Sequence, residues 1–337
     1  MGKVVEFGVG FETIHAQRQI ECARLAEELG YGTFWVPEDY FFRGAFALAS
    51  AVACSTKRMR IGLGVVNPYT RHPAVTAMEF AALTEIAGDR TVLGLGASVK
   101  YWIERQMRIR YAKPTAAMRE TIDVVRRLFR GESVTIEGEV VRAEGAKLSF
   151  APPRADVPIH LGVIGPKNLE MAGALADGVL LSAMTSPPYV RFALEHVRSG
   201  AERAGRKLED IEVGALLFIS VSEDARTARE AVKPFLATLV SLLAGQPESP
   251  LFRTCGMPAE DIRRFGETFA RGELPVALVN DWMIDTFAIA GSPAHCREQL
   301  AAVVDAGVRH PVAFEIPGVD PLATIRSVRE HLMPHFL

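Results

Sequence analysis

Short apolar, β-rich runs alternate with helical patterns along almost the whole chain, and this alternation restricts the fold more than any other feature. The runs cover residues 4–11, 33–36, 60–66, 91–95, 158–163, 178–181, 211–221 and 311–316. Helical patterns fall between them at 15–29, 45–55, 73–87, 116–130, 166–176, 188–204 and 293–307, several opened by proline or closed by glycine. Runs that are apolar throughout suit strands buried on both faces. Repeated βα units therefore imply a parallel sheet, and eight of them favour a closed (β/α)8 TIM barrel over an open doubly wound sheet. The open sheet would show G-x-G-x-x-G after an early strand. Gly8-Val-Gly10 and Gly62-Leu-Gly64 each lack the third glycine, where Thr13 and Asn67 stand.

Two segments exceed the repeat. Residues 133–150 read as a β-hairpin around Glu137-Gly138, and 225–289 as a mostly helical insertion after the seventh strand. With these excursions counted, one domain over 1–337 is the expectation. A net charge of −2 leaves no electrostatic footprint for nucleic acid or an anionic membrane. No apolar run reaches the roughly 18 residues of a membrane span. Cys22, Cys54, Cys255 and Cys296 form no C-x-x-C pair and no zinc-ligand spacing, so buried thiols, no metal and a cytoplasmic location are expected. The N-terminus lacks the regions of a signal peptide. No G-x-S-x-G elbow supports acyl hydrolysis.

In a barrel of this kind the site lies where the strands end. The candidates there are Glu12, the pair Glu38 and Asp39, Asn67, Ala97-Ser98, Gly165-Pro166-Lys167, Ser182, Ser220 and Glu315. Glu12, Glu38 and Asp39 are the candidate acids, with solvated loop or strand-end carboxylates as the competing reading. Gly165-Pro166-Lys167 opens a helix whose free N–H groups suit a phosphate, with Lys167 adding charge; an ordinary βα turn is the alternative. His72 is expected to cap a helix, and His160 to be a hydrogen-bonded core residue.

The run Gly62-Leu-Gly-Val-Val-Asn-Pro-Tyr-Thr-Arg-His-Pro73 resembles the third strand and loop of the bacterial-luciferase-like superfamily. It is most similar to the branch using coenzyme F420, particularly methylenetetrahydromethanopterin reductases. Gly162-Val-Ile-Gly-Pro-Lys-Asn-Leu-Glu-Met-Ala-Gly, Phe34-Trp-Val-Pro-Glu-Asp39 and Val92-Leu-Gly-Leu-Gly-Ala-Ser98 fit the same family. The resemblance implies a non-prolyl cis peptide at Gly64–Val65, forming a bulge against the cofactor ring. It also implies a cofactor site drawn from Asp39, Gly64, Val65, Asn67, Gly96, Ala97, Val163, Gly165, Pro166, Lys167 and Ser182. The activity implied is hydride transfer between F420 and an organic small molecule, with a methylene-tetrahydropterin as one substrate, in a homo-oligomer (dimer or tetramer).

Two positions depart from that family. Asp39 is followed by Tyr40 where relatives carry histidine, and Gly10 stands where the reductases have a glutamate, with Glu12 two residues on. Three other readings therefore stay open: an FMN-dependent monooxygenase, a flavin-free reductase using NAD(P)H, and a non-enzymatic scaffold.

Overall fold

A computed structural model describes residues 5–337, so the expected first strand's Val4 lies outside the described residues. The strands are β1 (Gly8–Gly10), β2 (Thr33–Val36), β3 (Arg60–Val66), β4 (Thr91–Gly96), β5 (Val134–Glu137), β6 (Arg142–Ala146), β7 (Ile159–Gly162), β8 (Gly178–Leu181), β9 (Glu212–Val221), β10 (Ile289–Gly291) and β11 (His310–Phe314). Nine are parallel, and eight of them follow one another as β1-β2-β3-β4-β7-β8-β9-β11, with β11 pairing with β1 to close the barrel. The expected hairpin is present as antiparallel β5 and β6. Helices cover the outside, and no helix among the described residues is long and apolar enough to cross a membrane.

β10 is an unexpected strand that meets the expected helical stretch only at Ile289 and lies mostly between it and the helix expected at 293–307. β9 runs for ten residues, and its last three, Ile219–Val221, overshoot the barrel and pair with Ile289–Gly291. An unpaired strand edge offers ready hydrogen-bond partners, so three residues suffice there. The rest of the stretch is helical, chiefly Ala225–Leu243, Ala259–Ala270 and Asp281–Phe287. The thiols need correcting too: Cys22 and Cys296 are buried, Cys255 is half-buried and Cys54 is exposed.

Strand alternation sends one set of side chains towards the helices and the other into the barrel. In β2, Phe34 joins the outer core and Trp35 the interior, with Val92, Leu180 and Val312. Below them, at the strand starts, lies a polar layer. The Arg60 guanidinium holds Glu212 at 2.8 Å and Glu6 at 2.5 Å, filling the space between these carboxylates and His310. Trp35 Nε1 donates to His310 Nε2 (2.8 Å), which leaves Nδ1–H to donate to the Glu6 carbonyl (2.8 Å).

His160 differs from its expectation, because its Nδ1 has no partner and its Nε2 lies 4.0 Å from Glu212. Burial lowers its pKa from 6.5 to about 4 and lowers that of His310 as well. Below about 6.5 the unfolded chain takes up a proton that folded His160 refuses until about 4. The stability held above 6.5 is thus lost as pH falls through that window, by an amount on the order of 2–3 kcal/mol for one such group. Calorimetric scans against pH should show the melting temperature falling there, and less steeply in His160→Leu. An equally steep fall in that variant would contradict the assignment.

Candidate active site

The barrel's carboxyl-terminal mouth gathers three acids from distant parts of the chain. Glu12 follows β1, Asp39 follows β2 and Glu315 follows β11. β1 lies between the other two strands, so closure of the sheet makes the three neighbours. Glu315 is buried. Its Oε2 accepts from the backbone N–H groups of Glu12 (2.5 Å) and Thr13 (2.7 Å), and its Oε1 accepts from the Thr13 hydroxyl. The Glu12 and Asp39 carboxyls lie close enough to interact, and a hydrogen bond between them would require a proton on one of the two.

Both remain partly open at the mouth while surrounding protein excludes most of the water. Burial, reinforced by the charges of Asp39 and Glu315, pushes the Glu12 pKa up to about 9. Burial raises Asp39 as well, with Glu38 adding repulsion, although the bond from Glu12 works in the opposite direction. Glu12 is therefore the member of the pair that keeps the proton at neutral pH.

Glu38 sits apart from this pair chemically. Arg71 binds its two oxygens at 2.7 and 3.1 Å, and also holds Glu79 at 2.6 Å. The Arg71 guanidinium lies over the Phe46 ring, 4.9 Å from its centroid. Arg71 stands inside the motif that carries the resemblance, as a cation near the end of a strand next to one ending in two acids. Its pairing with Glu38 could have been sought on that ground.

The Gly64–Val65 peptide is cis, and a second non-prolyl cis peptide joins Tyr40 to Phe41. The register of β3 against β4 shifts between Leu63 and Val66, so the strand bulges here. Gly64 and Val65 are half-exposed at the mouth. A Cβ at Gly64 would meet the Trp35 ring at 2.8 Å, so this glycine makes room for a core side chain. Val65 rests on two further glycines, since a Cβ at Gly96 or Gly162 would fall 2.6 or 2.9 Å from its methyl groups. The bulge and its glycine bed thus form the floor of the mouth.

Asn67 is buried, and its side chain is used within the protein. Its Oδ1 accepts from the backbone N–H groups of Tyr69 and Thr70 (both 3.0 Å), and its Nδ2 donates to the Tyr40 hydroxyl (2.5 Å). Tyr40 is also bonded to Thr70 (2.7 Å) and packs edge-on against Trp102. Tyr40 is thus built into the wall, beside the exposed rings of Phe41 and Phe42.

Beyond Gly96 and half-buried Ala97, Ser98 has a positive φ of 60°, and its buried Oγ has no hydrogen-bond partner. Val163 ends the next barrel strand's run as a buried residue. Gly165 opens the helix Pro166–Leu175 without a side-chain cap, and Pro166 and Lys167 are exposed. Ser182 is half-exposed, and its carbonyl accepts from the Thr185 hydroxyl. Sequence reasoning named Ser98 and Glu315 only as strand-end residues. Nothing local marks the unpartnered hydroxyl of the first or the three donors gathered by the second.

The family described as luciferase-like monooxygenase matches residues 6–310. A 5,10-methylenetetrahydromethanopterin reductase from Methanolobus tindarius is 35% identical over 314 residues, covering 92% of this chain and 94% of the relative. The same enzyme from Archaeoglobus fulgidus is 33% identical, covering 98% and 99%. Among solved structures, the coenzyme F420-dependent tetrahydromethanopterin reductase of Methanopyrus kandleri superposes with a TM-score of 0.90 at 28% identity, covering 99% and 100%. A Baeyer–Villiger monooxygenase from Pseudomonas putida in complex with FMN shares the fold at 19% identity, with a TM-score of 0.72 and 99% of each chain covered. With a family match over most of its length and relatives above 30% identity along nearly all of it, this chain belongs to the luciferase-like monooxygenase family.

Proposed function

We propose that this protein is an F420-dependent oxidoreductase, transferring a hydride between the deazaflavin and an organic substrate of the methylene-tetrahydropterin class. The names of the similar reductases support the cofactor and the substrate class. The observation that carries the reading is the meeting of two partly buried acids, Glu12 and Asp39, at the same mouth as the half-exposed Val65 bulge, where burial favours keeping a proton on the pair. The residues fit a flat, phosphate-bearing cofactor: the bulge offers an apolar floor, the Ser98 hydroxyl lacks a partner, and the helix at Gly165 is uncapped.

F420, when bound, supplies or accepts the hydride. Gly64 and Val65 would support its ring, with Gly96 and Ala97 beside them. Val163, Gly165, Pro166, Lys167 and Ser182 would hold the phosphate end, where free helical N–H groups and the Lys167 ammonium would offset the negative charge. Asn67 acts through the wall it builds with Tyr40 and Thr70. As hydride reaches the methylene carbon and one of its carbon–nitrogen bonds breaks, Glu12 would give its proton to the nitrogen released and be left as a carboxylate, with Asp39 orienting Glu12 beforehand. Glu38, neutralised by Arg71, holds the end of β2 in place.

The test is titration of the purified protein with F420, followed by mixing of the reduced complex with methylene-tetrahydropterins. Binding with hydride transfer is the expected result. Binding of FMN with oxygen uptake, or nicotinamide oxidation without a deazaflavin, overturns the reading.

The outer faces of helices Ala45–Ser55 and Pro73–Ala87 favour a homo-oligomer. Ala47, Cys54, Val75, Met78, Ala82 and Ile86 are exposed there, with Glu85 the one exposed charge within the two helices. An apolar face of this kind marks an interaction site, and a nearly uncharged one can meet its own copy without repulsion. Analytical ultracentrifugation should give a dimer or tetramer that Met78→Asp dissociates; a monomeric wild type contradicts this.

A further inference from the structure

We propose that Glu315 is a positioning residue, clamping the start of the loop after β1 so that the Glu12 carboxyl is held against Asp39. The inference rests on the reading of Glu12 as the acid. Glu315 touches neither the Glu12 carboxyl nor Asp39 through a hydrogen bond; it binds the backbone N–H of Glu12, the backbone N–H of Thr13 and the Thr13 hydroxyl. Its own N–H donates to the Gly10 carbonyl at 3.0 Å, so the clamp is an extension of the β1–β11 pairing. The carboxylate thus ties the loop at three donors to the last barrel strand, two of them consecutive backbone groups that set the direction of the chain. A side chain leaving a backbone so fixed has one short tether to search with, and preorganisation of this kind is what an acid needs to act on a bound substrate.

The charges around Glu12 are consistent with such a clamp. Asp39 faces it from the end of β2 and Glu315 from the end of β11, while Glu38, beyond Asp39, is neutralised by Arg71. The Arg43 guanidinium, reaching in from the loop after β2, donates to the Thr13 carbonyl at 3.1 Å and so adds a further tie to the same turn. Among the described residues no cation pairs with the Glu12 carboxyl. A free Glu12 side chain could turn into water, where it would ionise readily, away from the Asp39 and Glu315 carboxylates. Holding its backbone restricts that escape, and the acid pair persists.

Titration of Glu12 can be followed without cofactor, by carbon NMR of full-length protein carrying carboxyl-labelled glutamate, with the signal assigned by its loss in Glu12→Gln. In the wild type it should titrate near 9. In Glu315→Gln and in Glu315→Asp, whose shorter arm keeps the charge but cannot span all three donors, it should titrate at least about one unit lower, because a released Glu12 reaches water. Both variants should also lose about tenfold or more in kcat for hydride transfer with little change in KM, and the alkaline limb of the rate profile should move with the titration. Unchanged titration in Glu315→Gln or Glu315→Asp overturns the clamp. Should Glu315→Gln fail to fold, Thr13→Val removes one donor and must shift the titration in the same direction, or the proposal falls. A lowered titration in the Glu315 variants with undiminished turnover in Glu12→Gln would retain the clamp and remove the acid role. Lost turnover in Glu12→Gln with unshifted Glu315 variants would do the reverse.

Discussion

Glu12→Gln is expected to reduce the rate of hydride transfer by about two to three orders of magnitude while leaving F420 affinity nearly unchanged. A positioned general acid contributes roughly 10²–10⁴-fold, and glutamine keeps the shape of the side chain but has no proton to give. The pH dependence supplies an independent check. The active form carries the proton on Glu12, whose pKa is pushed up to about 9 by burial and by the neighbouring Asp39 and Glu315 charges. Wild-type turnover should therefore hold through neutrality and fall as pH rises through about 9. In Glu12→Gln that limb should vanish, leaving a low rate that no longer declines there. Stopped-flow rates across this range decide the matter; a variant retaining both rate and limb would remove Glu12 from the mechanism.

Gly94→Ala should have the largest effect on stability of any single methyl addition around the site. A Cβ at Gly94 would lie 1.9 Å from the Leu63 carbonyl oxygen and 3.2 Å from a Val65 methyl group. The first contact is with backbone at the register shift between β3 and β4, so no side-chain rotation relieves it. Overpacking that forces the backbone to move costs about 3 kcal/mol, which for a chain of this length corresponds to a drop of roughly 4 °C in melting temperature. Because the moving part is the bulge that carries Val65, F420 binding should weaken in whatever protein remains folded. Gly245→Ala is the control, since nothing lies within 4 Å of the added carbon. Thermal melts of the two variants should separate clearly, and equal melts would mean that β3 and β4 tolerate the clash by a route not visible in their pairing.

Gly94 also shows where motif reading stops. The run Val92–Ser98 drew attention to Gly96 and Ala97 as cofactor contacts, yet the glycine with the tightest constraint is the one beneath the strand next door. In the same way Asn67, expected to face the cofactor, spends its side chain on Tyr40 and on the turn through Thr70. Glu38 and Asp39 are adjacent acids at one strand end, but their fates differ because Arg71 reaches only the first. His160 could be expected to find a partner in the core, and its Nδ1 finds none. Each of these depends on which strand lies beside which, and on a distance of a few ångströms across a closed sheet.

Short-range pattern was enough for the barrel itself. Strand burial on both faces, helix stops at glycine and starts at proline are properties of ten or fifteen consecutive residues, and they specify eight βα units before any contact is considered. They are also enough to put acids at strand ends. They cannot bring Glu12 to Glu315 across 303 positions of sequence, nor leave Asp39 on the other side of the same strand. That meeting comes from closure, which seats β1 between β2 and β11. Closure also surrounds the Glu12–Asp39 pair with enough protein to keep one proton there at neutral pH.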